Sequence, residues 1–318
     1  MTAMASAHGP DRTSVVVTGG SGFIGRAAVR AFRDRGVPVT VVDRVPFAED
    51  IDGVRVVTGD LREAAVREKA VTPGTAGIVH LAALTSVLKS VELPEDTFAD
   101  NVLVTQELLE LARRRDVPKF LLASTNAVIG DVGTAMITAD LPLRPLTPYG
   151  ATKAACEMLL SGYAGAYGMT TCALRFTNVY GPGMSHKDSF VPRMMRAALS
   201  GTGVKVYGDG RQRRDLVHVD DVVGAILSAF DSGYTGRAIV GAGRSVSVLE
   251  MVEAVREVTG AELPVEHVAA PAGEMPAVVV DVSASAATIG YRPSVSLVDG
   301  LATAWKYFSG LDRPNATP

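Results

Sequence analysis

Short, continuous apolar runs alternate with longer amphipathic stretches over roughly the first 180 residues of the chain. Apolar residues at consecutive positions are typical of strands that are covered on both faces in a parallel sheet, and a spacing of three to four residues marks helices between them. The alternation predicts an α/β fold with a doubly wound parallel sheet. Strands are predicted at 14–19, 37–43, 54–60, 77–83, 119–125 and 170–176, and helices near 23–35, 97–115 and 149–167.

The rhythm changes after residue 180, where the sequence GPGM breaks the pattern. We expect a first domain at 12–180 and a smaller C-terminal domain at 181–312, partly interleaved with the first, after a flexible leader at 1–11. The leader has no basic start followed by an apolar stretch, so it does not have the pattern of a signal peptide. Helices of the second domain are predicted at 190–200, 221–231, 247–259 and 297–308.

Composition narrows the class of protein. The 318 residues are 47% hydrophobic and carry a net charge of −3, which is ordinary for a folded domain and offers no basic surface for nucleic acid. No apolar run has the length of a membrane helix. Two cysteines cannot form a disulfide framework, and the five histidines show no metal-ligand spacing. We therefore expect a cytoplasmic protein without a metal, without nucleic acid and without a membrane partner.

A glycine-rich segment, TGGSGFIG at 18–25, follows the first predicted strand and opens the first helix. Gly19, Gly22 and Gly25 allow a tight turn, a close approach of the backbone to a pyrophosphate and close packing of helix on sheet. A helix N-terminus adds free N–H groups that favour phosphate. This context predicts a Rossmann-like dinucleotide site. A tight strand–helix turn is the alternative.

One acidic residue indicates which dinucleotide is bound, and a second is a candidate contact to its adenine. Asp43 ends the second strand, eighteen residues after Gly25, where a carboxylate can accept hydrogen bonds from the ribose hydroxyls and repel a 2′-phosphate. NAD is therefore favoured over NADP, although Arg44 next to it could accommodate a phosphate. Asp60 closes the third strand and is either a contact to adenine or a turn residue.

Tyr149 and Lys153 lie four residues apart just after Pro148, so they share one face of a predicted helix. A tyrosine with a reference pKa near 10 needs about 4 kcal/mol of help to act as a base near neutrality. One cation at about 4 Å and an effective dielectric near 20 supplies roughly that amount. Thr125, at the carboxyl end of the fifth strand, can hold the oxygen that Tyr149 deprotonates. Such groups also occur on helices and strand ends without any chemistry.

Six ordered segments together resemble the extended short-chain dehydrogenase/reductases, the family of NAD-dependent nucleotide-sugar epimerases and dehydratases. They are TGGSGFIG, GDL at 59–61, HLAA at 80–83, Thr125, YGATK at 149–153 and RFTNVYGPG at 175–183. The resemblance implies a Thr/Tyr/Lys catalytic trio, a nucleoside-diphosphate-sugar substrate and a homodimer built from helices near 97–115 and 149–167. It implies a cofactor site formed by Gly19, Gly22, Phe23, Ile24, Gly25, Asp43, Arg44, Asp60, Leu61, Leu81, Ala82, Ala83, Asn101, Tyr149 and Lys153.

The residues after Thr125 distinguish reactions within the family. An Asp–Glu pair stands there in the 4,6-dehydratases, whereas this chain has Asn126 and Ala127, which cannot act as acid or base. The resemblance then favours a UDP-sugar 4-epimerase, acting by transient oxidation at C4 on UDP-glucose/UDP-galactose or UDP-glucuronate/UDP-galacturonate. A 4-reductase, a dehydratase and a non-catalytic NAD-binding regulator remain alternatives. The sequence leaves open which sugar and which nucleotide base the substrate contains, the pathway, the direction of flux and whether NAD co-purifies.

The same resemblance assigns substrate contacts to Ser86, Thr125, Asn126, Tyr149, Asn178 and Arg214. The guanidinium of Arg214 suits a diphosphate because it donates two parallel hydrogen bonds. The family's C-terminal Arg-x-Gly-Asp/Glu appears here as PAGE at 271–274, without the arginine. Lys187 could supply the missing charge or pair with the carboxylate of a uronic acid. A solvated lysine is the simpler interpretation.

Overall fold

The computed structural model describes residues 13–270 and 276–311. The predicted leader at 1–11 and the PAGE segment lie outside the described residues. The strands are β1 (Ser14–Thr18), β2 (Val39–Asp43), β3 (Val54–Thr58), β4 (Thr75–His80), β5 (Lys119–Thr125), β6 (Met136–Ile137), β7 (Thr170–Phe176), β8 (Asn178–Tyr180), β9 (Val204–Tyr207), β10 (Arg213–His218), β11 (Gly236–Val240), β12 (Ser245–Ser247), β13 (Val265–Val268) and β14 (Val279–Val280). The α-helices are α1 (Phe23–Asp34), α2 (Ala64–Ala70), α3 (Val87–Glu92), α4 (Pro94–Phe98), α5 (Val104–Arg114), α6 (Pro148–Tyr167), α7 (Phe190–Ser200), α8 (Val219–Ser232), α9 (Val248–Thr259), α10 (Ser283–Ile289) and α11 (Leu297–Leu311).

A seven-stranded sheet contains all six strands that the hydrophobic runs predict. Its order is β11-β7-β5-β4-β1-β2-β3, and the pairings of β1 with β2, β2 with β3, β1 with β4 and β4 with β5 are parallel. The prediction of a Rossmann-like α/β fold is confirmed. The chain order reverses between β1 and β4, and in open α/β sheets ligands bind outside the carboxyl ends of the strands at such a switch point.

Two compact units make up the chain, and each is interrupted by the other in sequence. The first contains the described residues up to Ala123, then 147–173 and 233–236. Its core is closed by apolar side chains from β1, β4, β5, α5 and α6, among them Val16, Ile78, Leu108 and Phe120. Continuous apolar strands require cover on both faces, and the helices supply it. The domain boundaries at 12–180 and 181–312 stay a prediction.

The second unit contains 124–146, 174–232 and the described residues from Arg237 onward. Its largest sheet has the order β12-β10-β8, in which Leu216 pairs with Asn178 in parallel and Arg213 pairs with Ser247 in antiparallel register. The four predicted C-terminal helices correspond to α7, α8, α9 and α11. No helix in the described part of the chain is long and apolar enough to cross a bilayer.

The helix predicted near 97–115 is not one α-helix. It consists of α4, a π-helical turn at Ala99–Leu103 and α5. Inside the turn, the carbonyl oxygen of Asn101 accepts hydrogen bonds from Thr105 Oγ1 at 2.6 Å and from Cys156 Sγ at 3.2 Å. Side-chain donors on a helical carbonyl compete with the regular backbone bond, and π turns of this kind are frequent at functional sites.

Two glycines of α6 allow a matched test of backbone conformation. Gly162 lies inside the helix and Gly168 caps its end at φ +67°, and a Cβ added at either would meet no atom within 4 Å. We expect Gly162→Ala to raise the free energy of unfolding by about 0.5–1 kcal/mol, because glycine is a poor helix former. Gly168→Ala is expected to lower it by about 1 kcal/mol, because the left-handed region is unfavourable for alanine. Urea unfolding measures both changes in the free energy of unfolding. Changes of the same sign would contradict the helical conformation of Gly162 or the left-handed conformation of Gly168.

Candidate active site

The glycine-rich turn between β1 and α1 fits against the backbone that follows β4. Gly19 has φ +67°, and a Cβ there would lie 2.8 Å from the amide nitrogen of Ala82. A Cβ on Gly25 would overlap the carbonyl oxygen of Gly19. Both positions therefore exclude any side chain. The turn is closed further by the hydrogen bond from Gly22 N to the carbonyl of Gly19 at 3.0 Å.

Helix α1 starts at this turn without a side-chain cap. Gly22 is the N-cap residue, and the first turn contains no acidic residue. The unsatisfied N–H groups of Phe23, Ile24 and Gly25 carry a partial positive charge that favours an anion. Together with the absence of side chains at Gly19 and Gly25, this is the cradle that the pyrophosphate of a dinucleotide requires.

Asp43 ends β2 beside this cradle. Its two carboxylate oxygens accept hydrogen bonds from the backbone nitrogens of Ser21 at 3.0 Å and Val45 at 3.1 Å. The first bond ties the end of β2 to the glycine-rich turn. A half-buried carboxylate at this position is the acceptor that ribose hydroxyls need.

Arg44 is held by two carboxylates. Its guanidinium donates two hydrogen bonds to Asp100, at 2.7 and 2.9 Å, and one to Asp60 at 3.0 Å. These bonds, led by those to Asp100, raise the pKa of Arg44 above its usual range. Burial acts to raise the pKa of Asp60, but hydrogen bonds from Arg62 and Arg44 outweigh it and hold the pKa well below the usual value. Leu61, next to Asp60, is buried.

A buried hydrogen-bond chain connects the end of β1 to the π turn. Thr18 Oγ1 lies 2.7 Å from His80 Nδ1 and accepts a hydrogen bond from Ala82 N, while His80 Nε2 lies 3.2 Å from Thr105 Oγ1. Because Thr105 donates its hydroxyl proton to the carbonyl of Asn101, His80 Nε2 must carry the proton that reaches Thr105. His80 Nδ1 then accepts the proton of Thr18. The imidazole is neutral, because burial, with a smaller effect from Lys153, lowers its pKa to about 3.

Asn101 fixes the backbone that follows β4. Its amide oxygen accepts from Leu84 N at 2.9 Å, and its amide nitrogen donates to the carbonyl of Leu84 and to Thr152 Oγ1. Thr152 donates in turn to the carbonyl of Tyr149 at 2.8 Å. The predicted cofactor residue Asn101 is thus a positioning residue for the segment Leu81–Leu84 and for the start of α6, which carries the predicted base.

Helix α6 presents the predicted catalytic pair. Thr147 caps the helix by accepting from Gly150 N at 3.2 Å, and Ser90 Oγ accepts from the backbone nitrogen of Tyr149 at 3.1 Å. The side chain of Tyr149 is half-buried, whereas Lys153, one turn further, is 2% exposed. Burial lowers the pKa of Lys153, and electrostatic interactions with Cys156 and Glu157 oppose this shift.

Four positioning residues escape sequence reasoning: Ser90, Thr105, Thr152 and His80. The histidine belongs to the HLAA segment that carries the family resemblance, so its motif offered a signal. The three hydroxyl side chains lie on α3, α5 and α6, far apart in sequence and in ordinary helical contexts. Thr105 and Thr152 also bond carbonyls three or four residues earlier, but only the fold brings Ser90 to the backbone nitrogen of Tyr149 and joins the two threonines to groups on other elements.

The predicted sugar residues are divided between the two units. Ser86, in the first, accepts from Lys89 N at 3.2 Å and caps α3. Thr125 and Asn126 belong to the second, where Thr125 Oγ1 accepts from Ala127 N at 3.2 Å. Both polar side-chain atoms of Asn126 are buried and have no hydrogen-bond partner among the residues that the structure describes. Buried amide groups of this kind are rare and call for a bound partner or water.

The predicted diphosphate residues of the second unit lie on its three-stranded sheet or in the loop before α7. Asn178 donates from Nδ2 to the carbonyl of Asp215 at 3.0 Å, which places it beside Arg214 on the neighbouring strand. Arg214 Nη1 donates to the carbonyl of Arg213 at 2.8 Å. Lys187 lies in the loop before α7, half-buried.

A Rossmann sheet, a side-chain-free cradle at a helix start and a ribose-type carboxylate define a dinucleotide-binding protein. The sequence model of the NAD dependent epimerase/dehydratase family matches residues 15–241 of this chain. The chain belongs to this family, which confirms the resemblance and the prediction of NAD as cofactor. The predicted enzyme class is confirmed at the level of a nucleotide-sugar epimerase or dehydratase.

Relatives with different activities cover nearly the whole chain. The dTDP-glucose 4,6-dehydratase of Streptomyces griseus is 34% identical over 92% of this chain and 94% of its own. The UDP-glucose 4-epimerase of Corynebacterium glutamicum is 30% identical over 95% and 98%. The solved structure of MoeE5 in complex with UDP-glucuronic acid and NAD superposes with a TM-score of 0.85 at 34% identity, over 94% and 99% of the two chains. Overall similarity therefore does not separate epimerase from dehydratase.

The neutral state of His80 has a consequence for stability. The unfolded histidine titrates near 6.5, so below that pH the unfolded chain binds a proton that the folded chain, with a pKa of about 3 at His80, excludes. The stabilisation is present above pH 6.5 and is lost as the pH falls towards 3. As the pH falls below about 6.5, we expect the free energy of unfolding to decrease by about 1.4 kcal/mol per pH unit more in the wild type than in His80→Gln.

Urea unfolding at several pH values, from about two units below to about one unit above the reference pKa of histidine, measures this difference. His267→Gln, which alters an exposed histidine, is the control and is expected to keep the wild-type slope. Equal slopes for His80→Gln and the wild type would mean that His80 is protonated in the folded chain.

Proposed function

We propose that the chain is a UDP-sugar 4-epimerase that interconverts C4 epimers of UDP-glucose/UDP-galactose or UDP-glucuronate/UDP-galacturonate. The observation that carries the proposal is the pair Asn126 and Ala127 after Thr125. Elimination of water needs an acid and a base beside the sugar, and neither an amide nor a methyl group can exchange a proton near neutrality. Epimerisation at C4 needs only one base, which Tyr149 supplies.

The cofactor site proposed for NAD assigns residues to the pyrophosphate and to the adenosine ribose. The N–H groups of the first turn of α1 would hold the pyrophosphate, and Asp43 would accept hydrogen bonds from the adenosine ribose. The segments around Leu61 and Leu81–Ala83, which follow β3 and β4, line the site. When bound, NAD supplies a reversible hydride acceptor.

The catalytic work of the chain is the movement and placement of one proton. Tyr149 removes the proton of the sugar 4-hydroxyl and later returns it, and Thr125 holds the same oxygen by a hydrogen bond. Lys153 stabilises the phenolate through its charge one helical turn away. Ser90 and Thr152 fix the backbone of Tyr149 from both sides, which keeps the phenol in position.

The diphosphate of the substrate is assigned to Asn178 and Arg214, and Ser86 is assigned to the sugar. Lys187 is proposed as the second cation, for the diphosphate or for the carboxylate of a uronic acid. The solved complex of MoeE5 with UDP-glucuronic acid supports the uronate, and the relative from Corynebacterium glutamicum supports the neutral hexose. The 34% identity to a dTDP-glucose 4,6-dehydratase makes dehydration the second candidate.

Incubation with separate nucleotide sugars tests the proposal. UDP-glucose, UDP-glucuronate, UDP-N-acetylglucosamine and dTDP-glucose are each supplied without added NADH, and the products are resolved by NMR and mass spectrometry. We expect a C4 epimer of unchanged mass from a UDP-sugar. A product lighter by one water would overturn the proposal in favour of a dehydratase.

The control for this assay is Tyr149→Phe, which removes the hydroxyl and keeps the ring. We expect at least a ~100-fold loss of turnover, the range that general acid–base groups contribute, with NAD binding retained. Turnover within a few-fold of the wild type would exclude Tyr149 as the base.

We propose further that the chain is a homodimer. Exposed apolar side chains concentrate on α3, α4, the π turn and α6, including Leu88 at 78%, Val91 at 62%, Leu103 at 51% and Phe98 at 48% exposure. Helices α3 and α4 both pack on α6, so these side chains belong to one group of helices. Apolar surface of this kind is typical of a protein interface, and a second copy of the chain is the partner that the family resemblance implies.

Size-exclusion chromatography with light scattering tests the dimer. We expect twice the mass of one chain for the wild type and a single-chain mass for Leu103→Glu, because a charge buried in an apolar interface is strongly unfavourable. Val298→Glu, at an exposed apolar position of α11, is the control and is expected to keep the mass of the dimer. A single-chain mass for the wild type would contradict the proposal.

A further inference from the structure

Arg44 is the residue next to Asp43 that would be expected to receive a 2′-phosphate. In dinucleotide sites, an acidic residue at the end of the second strand selects NAD, and an arginine nearby accommodates NADP. This chain has both residue types side by side. The choice between NAD and NADP therefore depends on whether the guanidinium of Arg44 is available to a phosphate.

The guanidinium of Arg44 is occupied by two carboxylates. Asp100 receives two parallel hydrogen bonds from the guanidinium, and its side chain is 11% exposed. Asp60, 20% exposed, receives a third. Bidentate arginine–carboxylate pairs are among the strongest ion pairs, and a phosphate that displaced Asp100 would cost a largely buried carboxylate both of its hydrogen bonds from Arg44.

The second arginine of the cluster does not compensate. Arg62 donates three hydrogen bonds to Asp60, from its backbone nitrogen at 2.8 Å and from its side chain at 2.8 and 3.0 Å. It also lies 3.6 Å from Asp100 and 3.9 Å from Asp96. Three carboxylates thus pair with the two guanidinium groups, and Asp43 precedes Arg44 in the sequence, so a dianionic phosphate added here meets excess negative charge.

We propose that Asp100, on the π turn, is a specificity-determining residue that holds Arg44 away from the cofactor and so secures the preference for NAD over NADP. The inference rests on the proposed placement of the adenosine ribose beside Asp43. Asp43 repels the 2′-phosphate directly, and Asp100 withholds the cation that follows Asp43 in the sequence and that could offset this repulsion. The π turn is what places Asp100 and Asp60 on the same guanidinium although 40 residues separate them in sequence.

Binding of NAD and NADP, which differ only in the 2′-phosphate, tests the proposal without use of activity. Calorimetric titration of the full chain freed of nucleotide gives the ratio of the two dissociation constants. In Asp100→Asn we expect NADP binding to improve relative to NAD by about tenfold or more, since one charge-assisted pair becomes available to the phosphate. Asp96→Asn removes an exposed charge that lies 3.9 Å from Arg62 and forms no ion pair with Arg44, and it is expected to keep the wild-type ratio.

Substitution of Arg44 separates this mechanism from a general effect of charge. Arg44→Leu combined with Asp100→Asn is expected to lose the gain, and Arg44→Leu alone is expected to keep the wild-type ratio. The proposal is overturned by an unchanged ratio in Asp100→Asn, by a gain that persists in the double variant, or by a strong effect of Arg44→Leu alone. Where Asp100→Asn does not fold, a changed ratio in Arg44→Leu alone still overturns the proposal, because it would mean that the guanidinium already acts on the cofactor.

Failure of the proposed function gives a different pattern. A wild-type chain that binds neither nucleotide contradicts the cofactor site itself. Normal binding ratios without epimerisation of any nucleotide sugar contradict the reaction, and they leave the role of Asp100 intact.

Discussion

The close approach of Gly19 to the backbone of Leu81 and Ala82 is the contact on which the rest of the first unit depends. It brings the end of β1 within van der Waals distance of the chain that leaves β4, at the point where the order of strands reverses. A side chain at Gly19 would separate the two segments. The start of α1, and with it the anion cradle, is positioned by this contact.

Polar bonds then extend the contact to the catalytic helix. Thr18 and His80 join β1 to β4, Thr105 and Asn101 continue into the π turn, and Thr152 reaches α6. Donation runs in one direction, from Thr18 to His80, from His80 to Thr105 and from Thr105 to the carbonyl of Asn101, because only one tautomer of His80 fits these partners. Burial makes the arrangement stable, since an unpaired group here would cost ~1–3 kcal/mol. The cofactor cradle and the turn that carries Tyr149 are therefore positioned by the same set of bonds.

The π turn at Ala99–Leu103 serves three purposes with neighbouring residues. The side chain of Asn101 holds the backbone of Leu84, and the carbonyl of Asn101 accepts hydrogen bonds from Thr105 and Cys156. Asp100 holds Arg44. A regular α-helix advances about 100° per residue and would direct these groups differently, so the extra residue in the turn is what allows them to act together. The cost of the irregular turn is offset by the hydrogen bonds that it permits.

The sheet, the dinucleotide turn, the carboxylate at the end of β2 and the Tyr149–Lys153 pair are all predictable from local patterns: continuous apolar runs, fixed glycine spacing or one helical turn. Contacts between distant segments are not predictable in this way. Arg44 is paired with Asp100 and Asp60, Asn101 bonds to Leu84 and Thr152, and Lys153 is buried. These outcomes depend on residues from separate elements, and hydrogen bonds between distant segments leave no periodic signal in the chain.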